Sequence, residues 1–277
     1  MSQARIWLIG GTQESAELAR SLVAQNLPCL VTVTTESARC LYPKTPDLTV
    51  WVGRLDAASL PAFLQTHSIA AILDASHPFA TEISHLAIAI ASTLKIPYLR
   101  FERLPLSASP LTPLFFPTLR SLLATDLLLH QRILLTLGYR SLELFTPWQE
   151  KAVLFARILP SIPALQAAIS AGFATDRLIA LRPPISAAME RALWQQWQVS
   201  VVVTKASGVA GGEDVKQQVA ADLGVTLVVI ERPPIAYPQQ TSDFSEALQF
   251  CDRSLAPFSM GRSILPGDKF PDSESSP

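Results

Sequence analysis

The segment RIWLIGGTQESAELAR, residues 5–20, determines the fold class that we predict. An apolar run typical of a β-strand ends at Ile9, two glycines follow, and a helical pattern starts near Glu14. Doubly wound α/β sheets open with this order of strand, tight turn and helix, and they bind dinucleotides at that first turn. We therefore expect a parallel sheet whose first turn holds the phosphates of a nucleotide cofactor.

The glycine turn carries the chemistry of phosphate binding. Gly10 and Gly11 allow the backbone to approach a phosphate closely, and Thr12 adds a hydroxyl donor. The free amides of the helix that starts near Glu14 favour an anion. Because the pattern is shorter than GxGxxG, a tight turn without a ligand is the alternative. The predicted phosphate-binding residues are Gly10, Gly11, Thr12 and Glu14.

Short β-branched runs alternate with helix-length segments along the chain, which favours parallel sheets with crossover helices. The predicted strands are Ala4–Ile9, Leu30–Thr34, Leu48–Val52, Ala70–Asp74, Pro97–Phe101, Arg132–Leu137, Ala152–Ile158, Arg177–Leu181, Val199–Thr204 and Thr226–Ile230. The predicted helices are Glu14–Gln25, Ala57–Gln65, Phe79–Leu94, Ile162–Ala171, Ile185–Gln196 and Glu213–Leu223.

A proline-bearing stretch, residues 105–117, interrupts this alternation and marks a lobe boundary. The prediction is an α/β fold of two Rossmann-like, doubly wound parallel-sheet lobes with a cleft between them. Residues 1–117 form the cofactor lobe and residues 118–253 the substrate lobe. The tail, residues 254–277, is rich in breakers and poor in apolar residues, so we expect it to be disordered.

The end of the second strand indicates which dinucleotide is bound. NAD sites usually place a carboxylate there for the ribose hydroxyls. Here hydroxyl residues and an arginine surround Glu36, and Ser37 and Arg39 fit a 2′-phosphate better. The predicted cofactor is therefore NADPH, with NADH possible because Glu36 can take the carboxylate role. An ordinary polar loop is the third interpretation.

The motif DASHPFA, residues 74–80, follows a buried strand and leads into a helix. It places polar groups at the carboxyl edge of the sheet, where such folds bind ligands. We predict that Asp74, Pro78 and Phe79 shape the cofactor side of the site. His77 can donate a proton or bind a carboxylate. The alternative for His77 is a structural residue held by Asp74 at the start of the helix.

A second glycine-bearing strand end, VTKASGVAGGEDVK, spans residues 203–216. Lys205 and Lys216 supply positive charge there, and Thr204 and Ser207 supply neutral donors beside Gly208. Lys205 lies between a buried strand and a glycine loop, an unusual place for a lysine. Lys216 has the simpler alternative of a solvated helix lysine.

Composition excludes several classes of function. The formal net charge is -1 and charged residues make up 16% of 277 residues, so no polyanion-binding surface or nucleic-acid partner is indicated. The three cysteines lack zinc spacing, and His77 and His85 share no ligand pattern, so we expect no metal site. We also expect no signal peptide, no membrane span and a cytoplasmic location.

Several motifs, taken together and in order, resemble the precorrin-6A reductase family of cobalamin biosynthesis, including its cobalt-precorrin branch. They are GGTQE (10–14), VGRLD (52–56), DASHPFA (74–80), RFERL (100–104), TLGYRSLELF (136–145), LRPP (181–184), TKASGVAGG (204–212) and ERPP (231–234). DASHPFA and TKASG are the most specific. RFERL lacks the proline that usually follows its second arginine, and LRPP replaces the usual RGPF.

The resemblance implies hydride transfer from a reduced nicotinamide to a double bond of a tetrapyrrole macrocycle, with a proton reaching the neighbouring carbon. It implies His77 and Lys205 as catalytic candidates, bound water being a third proton source. The implied substrate-binding residues are Arg182, Thr204, Ser207, Gly208 and Lys216. Carboxylate groups of the macrocycle call for cations, and the wider candidates are Arg100, Arg103, Arg157, Arg182, Lys205 and Arg232.

Two other functions are consistent with the residues alone. One is a nicotinamide-dependent dehydrogenase or epimerase of another small molecule, although no tyrosine has a lysine four positions later. The other is a module that senses NAD(P)H without catalysis. The pattern leaves the oligomeric state and the presence of cobalt in the substrate open.

Overall fold

A computed structural model of the chain describes residues 3–46, 48–104, 106 and 113–259. The strands in chain order are β1 (Arg5–Ile9), β2 (Cys29–Val33), β3 (Leu48–Val52), β4 (Ile69–Asp74), β5 (Tyr98–Phe101), β6 (Leu114–Phe116), β7 (Arg132–Leu135), β8 (Val153–Ile158), β9 (Leu178–Ala180), β10 (Val201–Lys205), β11 (Thr226–Ile230) and β12 (Gln240–Thr241).

The α-helices lie between these strands and after the last of them. They are α1 (Gln13–Ala24), α2 (Glu36–Arg39), α3 (Leu60–Thr66), α4 (Thr81–Leu94), α5 (Leu119–Leu123), α6 (Ile162–Ser170), α7 (Ala187–Gln196), α8 (Glu213–Leu223) and α9 (Phe244–Ser259). Shorter-pitch 3₁₀ helices cover Tyr139–Trp148, Thr175–Arg177 and Val209–Gly211.

The described residues divide into two compact units. The first comprises the described parts of residues 1–75, 86–100 and 243–277, and the second those of 76–85 and 101–242. This division differs from the predicted lobes in three places. Residues 76–85 and the described part of 101–117 fall in the second unit rather than the first, and helix α9 falls in the first unit.

The strands of the first unit pair in the order β5-β4-β1-β2-β3, and all of these pairs are parallel. Trp7 on β1 is fully buried, donates from its indole nitrogen to Thr32 Oγ1 at 2.9 Å, and packs edge-on against Phe63 of α3. Helix α9 buries Ala247, Phe250 and other apolar residues against β1 and β4. Both faces of this sheet are therefore covered, as a parallel sheet requires.

The second unit contains a parallel sheet with the order β6-β11-β10-β7-β8-β9. Successive residues of its central strands enter opposite cores. Ile133 and Leu135 pack with Phe145 on one face, and Leu134 packs with Trp194 on the other. The predicted fold class, two parallel-sheet α/β lobes, is confirmed.

Several elements were not predicted from the sequence. They are strands β6 and β12, helices α2, α5 and α9, and the three 3₁₀ helices. Residues 254–259, assigned to the tail, form the end of α9, where Leu255 is buried. The remainder of the predicted tail lies outside the described residues. No helix in the part of the chain that the structure describes is long and apolar enough to span a bilayer.

Candidate functional site

The first glycine turn, residues 10–12, joins β1 to α1. Gly11 has φ +101°, which residues with a side chain rarely adopt, and a Cβ added there would meet nothing within 4 Å. At Gly10 an added Cβ would lie 2.2 Å from Tyr42 Oη and 2.8 Å from Val31 Cγ1. Gly10 is therefore required by packing inside the unit, whereas Gly11 is required by backbone conformation on an open surface.

Thr12 begins helix α1 and fixes the turn at both ends. Its Oγ1 accepts from the Ser15 amide at 3.1 Å, and Ser15 Oγ accepts from the Thr12 amide at 3.0 Å, which makes a capping box. The same threonine hydroxyl donates to the Ala75 carbonyl at 2.9 Å, at the end of β4. Because the Thr12 hydroxyl hydrogen is used in this bond within the chain, Thr12 shapes the turn rather than donating to a ligand.

Tyr42 contacts this turn and was not predicted from the sequence. Its phenol oxygen accepts from the Gly11 amide at 2.7 Å and lies 2.6 Å from Ser15 Oγ. The side chain is buried, and burial raises the pKa of the phenol. Tyr42 follows α2 in an irregular segment, where no local pattern distinguishes a buried tyrosine from a surface one.

The predicted ribose-binding residues lie on α2, directly after β2. Ser37 and Arg39 are both exposed. The Arg39 guanidinium pairs with Glu36 at 3.3 Å and donates to the Val50 carbonyl at 3.0 Å. Because Glu36 is bound to Arg39, the carboxylate and the arginine that favour different cofactors are partners here.

Asp74 is fully buried in the first unit. Its carboxylate forms an ion pair with Arg100 at 2.9 Å and accepts from the Tyr98 hydroxyl at 2.8 Å, so it fastens the ends of β4 and β5. This position does not support the prediction that Asp74 contacts a cofactor. The rest of the DASHPFA motif, from Ser76 onward, belongs to the second unit.

In the second unit the structure brings together both predicted catalytic residues. Lys205 Nζ lies 4.8 Å above the centre of the Phe79 ring, and the His77 ring centre is 5.9 Å from that of Phe79. The Phe79 amide donates to His77 Nδ1 at 3.2 Å, and the neighbouring Pro78 is buried. Since Nδ1 accepts this bond, the neutral imidazole carries its proton on Nε2.

Lys205 is a partly buried cation at the carboxyl end of β10. Burial lowers the pKa of its ammonium, and the nearby Arg140 guanidinium lowers it further. Neither Lys205 nor Arg140 has an acidic partner among the described residues. Arg140 was not singled out from the sequence, although it lies in the quoted TLGYRSLELF segment, five residues beyond the end of β7.

The second glycine turn, residues 206–212, follows Lys205 and is held by two arginines. Arg103 donates to the Ser207 carbonyl at 2.7 Å. Arg232 donates to the Ala206 carbonyl at 2.9 Å and pairs with Glu102 at 2.7 Å. Three of the motifs that carry the family resemblance, RFERL, TKASG and ERPP, therefore meet here.

The far side of the second glycine turn is held by helix α8. Gly208, with φ +68°, donates its amide to Glu213 at 2.8 Å. The Lys216 ammonium donates to the carbonyls of Gly211 and Gly212 at 2.9 and 3.0 Å. Lys216 is 2% exposed, and burial lowers its pKa to about 8. As placed, Lys216 braces the turn; Thr204 and Ser207 beside it are also buried.

The arginines predicted for carboxylate binding separate into three groups. Arg100 pairs with Asp74, and Arg157 forms a buried pair with Glu190 at 2.5 Å. Arg103 and Arg232 hold the second glycine turn. Arg182 is exposed and has no ion pair among the described residues. The same part of the chain contains no group of three metal-ligating side chains that could hold a metal ion.

Comparison with known proteins gives a consistent result. A sequence model described as Precorrin-6x reductase CbiJ/CobK matches residues 5–252. A cobalt-precorrin-6A reductase of Synechocystis sp. is 53% identical over 92% of this chain and 98% of its own length. Its counterpart from Priestia megaterium is 32% identical over 88% of this chain and 96% of its own length.

Among solved structures, CobK precorrin-6A reductase matches with a TM-score of 0.75 and 23% identity, over 92% of this chain and 97% of that one. At 23% identity this structural match supports the fold alone. The family match spans most of the chain and includes the first glycine turn, the His77 segment and the second glycine turn. The chain belongs to the precorrin-6x reductase family.

Proposed function

We propose that this chain reduces a precorrin-6A-type macrocycle, with or without cobalt, at the expense of NADPH. The observation that carries the proposal is Lys205, a partly buried cation without an acidic partner in the described chain, beside Phe79 and His77. A substrate that bears several carboxylates supplies the missing anions. A sensing module without a substrate gives no account of a cation left in this position, and a dehydrogenase of another anionic small molecule is distinguished by the test below.

The first glycine turn fits the phosphates of a nicotinamide dinucleotide. Gly11 leaves open space where a side chain would otherwise stand, and the turn leads into the N-terminus of α1. We assign phosphate binding to the segment that holds Gly10, Gly11, Thr12 and Glu14. Gly10, Gly11 and Thr12 act by shaping the turn, because their amides already donate to Thr32, Tyr42 and Ser15, and the phosphate lies at the start of α1, where Glu14 is. When bound, the reduced nicotinamide supplies the hydride.

The preference for NADPH over NADH rests on α2. Ser37 and Arg39 present a hydroxyl and a guanidinium on the exposed surface that follows β2. A 2′-phosphate, which carries more charge than Glu36, would draw Arg39 out of its exposed ion pair because such pairs contribute little. This assignment predicts that an Arg39→Ala variant loses more affinity for NADPH than for NADH.

The second unit holds the groups for substrate binding and protonation. We propose that Lys205, Arg140 and Arg182 bind carboxylates of the macrocycle, with Thr204, Ser207 and Gly208 shaping the same loop. The proton donor is Lys205, His77 or bound water. Lys205 has a lowered pKa, which makes loss of its proton less costly. His77 would donate a proton only as the imidazolium, in which Nδ1 is also protonated and no longer accepts from the Phe79 amide, because a neutral imidazole that lost its Nε2 proton would become an imidazolate.

The test is anaerobic incubation with metal-free or cobalt-loaded precorrin-6A and with NADPH or NADH. We expect absorbance of the reduced cofactor to fall together with a change in the visible spectrum of the macrocycle, faster with NADPH. Cofactor binding without turnover of either macrocycle would favour the sensing module. Turnover of a different small molecule alone would favour another dehydrogenase. We place the reaction in the cytoplasm, with neither nucleic acid nor membrane as a partner.

A further inference from the structure

We propose that Tyr42 is a positioning residue for the cofactor, whose hydroxyl orients the Gly11 peptide and joins the first glycine turn to α2. The inference rests on the proposed function, because it concerns the turn to which phosphate binding is assigned. Tyr42 would control cofactor affinity through the shape of the turn, without touching the reacting atoms.

The hydrogen bonds around Tyr42 are complete and have one direction. Ser15 Oγ donates to the Thr12 carbonyl at 2.7 Å, so its single hydrogen is used there. The Tyr42 hydroxyl must then donate to Ser15 Oγ at 2.6 Å while it accepts the Gly11 amide at 2.7 Å. Ser15 is fully buried and Tyr42 is 6% exposed, so this chain of bonds lies inside the unit.

This contact explains why the turn has two glycines in succession. Gly11 has the positive φ of the turn, and its amide donates to Tyr42. Gly10 lacks the Cβ that would lie 2.2 Å from the same hydroxyl. Because the Gly11 amide is held from inside, phosphate contacts fall to the amides that follow at the start of α1.

Tyr42 also connects the turn with the ribose-side residues. Its backbone amide donates to the Arg39 carbonyl at 3.2 Å, at the end of α2. The preceding residue, Leu41, donates to the Ala38 carbonyl and accepts from Arg20 of α1. One residue therefore bonds through its side chain to the predicted phosphate turn and through its backbone to the helix that carries Ser37 and Arg39.

The test uses Tyr42→Phe in the full-length chain, with NADPH binding measured by titration and by steady-state kinetics. Loss of one hydrogen bond in the turn predicts a three- to tenfold (roughly) higher Kd and KM for NADPH. We expect an unchanged KM for the macrocycle and an unchanged kcat at saturating cofactor. If the role of Tyr42 were only structural, the variant would be less stable but would not show a raised NADPH KM together with an unchanged macrocycle KM and kcat.

Thr32→Val is the matched control, because it also removes a buried hydroxyl partner of an N–H group in the first unit, that of Trp7. It should lower stability comparably and leave the NADPH Kd unchanged. If wild type binds NADPH and Tyr42→Phe binds it equally well, the positioning role is wrong. If wild type binds no reduced nicotinamide, the proposed function fails instead.

A measurement on the unaltered chain covers the case in which Tyr42→Phe does not fold. Amide hydrogen exchange at Gly11 should be slow without cofactor and stay slow when NADPH is added, because Tyr42 already holds that amide. Exchange at the rate of an unbonded amide in the cofactor-free chain would contradict the proposal, and so would protection that appears only with NADPH.

Discussion

The two glycine turns occupy equivalent places in their units, at the carboxyl end of a parallel strand and before a helix, yet their electrostatics differ. The first turn has a helix start capped by Thr12, one acidic residue in the first helical turn and an open surface at Gly11. The second has Glu213 and Asp214 at the start of α8, and the Glu213 carboxylate accepts a hydrogen bond from the Gly208 amide.

This difference in charge suits the first glycine turn to binding a phosphate and leaves the second beside Lys205, a cation unpaired within the described residues. Two carboxylates at the start of α8 oppose an anion there, so the second glycine turn is a poor phosphate site despite its glycines. Its carbonyls are instead held by Arg103, Arg232 and Lys216, and the strand end next to it presents Lys205. A glycine turn before a helix is thus insufficient evidence for nucleotide binding until the charges around it are known.

The largest effect that would sharpen the comparison is expected for Lys205→Met. If Lys205 protonates the substrate or anchors its carboxylate, turnover should fall by roughly 10²- to 10³-fold while the NADPH Kd stays unchanged. Steady-state kinetics and cofactor titration measure the two quantities separately. Equal loss of cofactor binding would contradict the assignment of the second glycine turn to substrate.

Two further variants distinguish the possible roles of Lys205. Lys205→Arg keeps the charge but holds its proton too tightly to act as an acid, so recovery of KM without recovery of kcat indicates protonation. Lys151→Met is the matched control, because Lys151 also lies over an aromatic ring of the second unit, that of Trp148 at 5.4 Å. It is exposed and should leave turnover unchanged.

The next effect concerns Lys216 and pH. In the folded chain its pKa is about 8, against an ordinary 10.5, because burial disfavours the charge; Arg157, Glu190, Glu213 and Asp214 lie close enough to modify it. Between pH 8 and pH 10.5 the Lys216 amine is therefore mostly protonated in the unfolded chain and mostly neutral in the folded chain. Wild type should therefore gain stability relative to Lys216→Met as pH rises from 8 to 10.5, by up to about 1.4 kcal/mol per pH unit.

Urea unfolding of both proteins at several pH values measures this difference. Lys151→Met serves again as the control, since an exposed lysine should give a difference from wild type that is constant with pH. A pH-independent difference for Lys216→Met would mean that the Lys216 ammonium is not desolvated in the folded chain, and the brace on the second glycine turn would need another explanation.

Sequence periodicity was sufficient for most of the regular elements. Strands Leu48–Val52 and Thr226–Ile230 and helix Glu213–Leu223 coincide with their predictions residue for residue. The helix Tyr139–Trp148 was missed because it is a 3₁₀ helix with Pro147 inside it, and its burial of Phe145 depends on distant strands. Pro257 likewise concealed the end of α9.

The candidate site was predicted in part, by its motifs, while its pairings were beyond local pattern. Arg103 meets the Ser207 carbonyl across 104 residues of chain, and Arg157 meets Glu190 across 33. Such partners decide which cations are already neutralised, and only the folded chain supplies them. Tyr42 and Arg140 were not predicted as site residues for the same reason, because their contacts with the first glycine turn and with Lys205 join distant parts of the sequence.

The smallest expected effect tests the open surface of the first glycine turn through Gly11→Ala. Because nothing lies near the added methyl group, the cost comes from the backbone alone, about 1–2 kcal/mol of the free energy of unfolding. The strained turn should also bind NADPH several-fold more weakly, since its amides shift.

Gly224→Ala is the matched control: Gly224 also has a positive φ and open space, but it ends α8 in the second unit. It should lose about 1 kcal/mol of stability and keep its NADPH affinity. If Gly224→Ala weakened NADPH binding as much as Gly11→Ala does, the titration would report stability rather than the shape of the first glycine turn. The contrast between the two glycine turns would then lose its support.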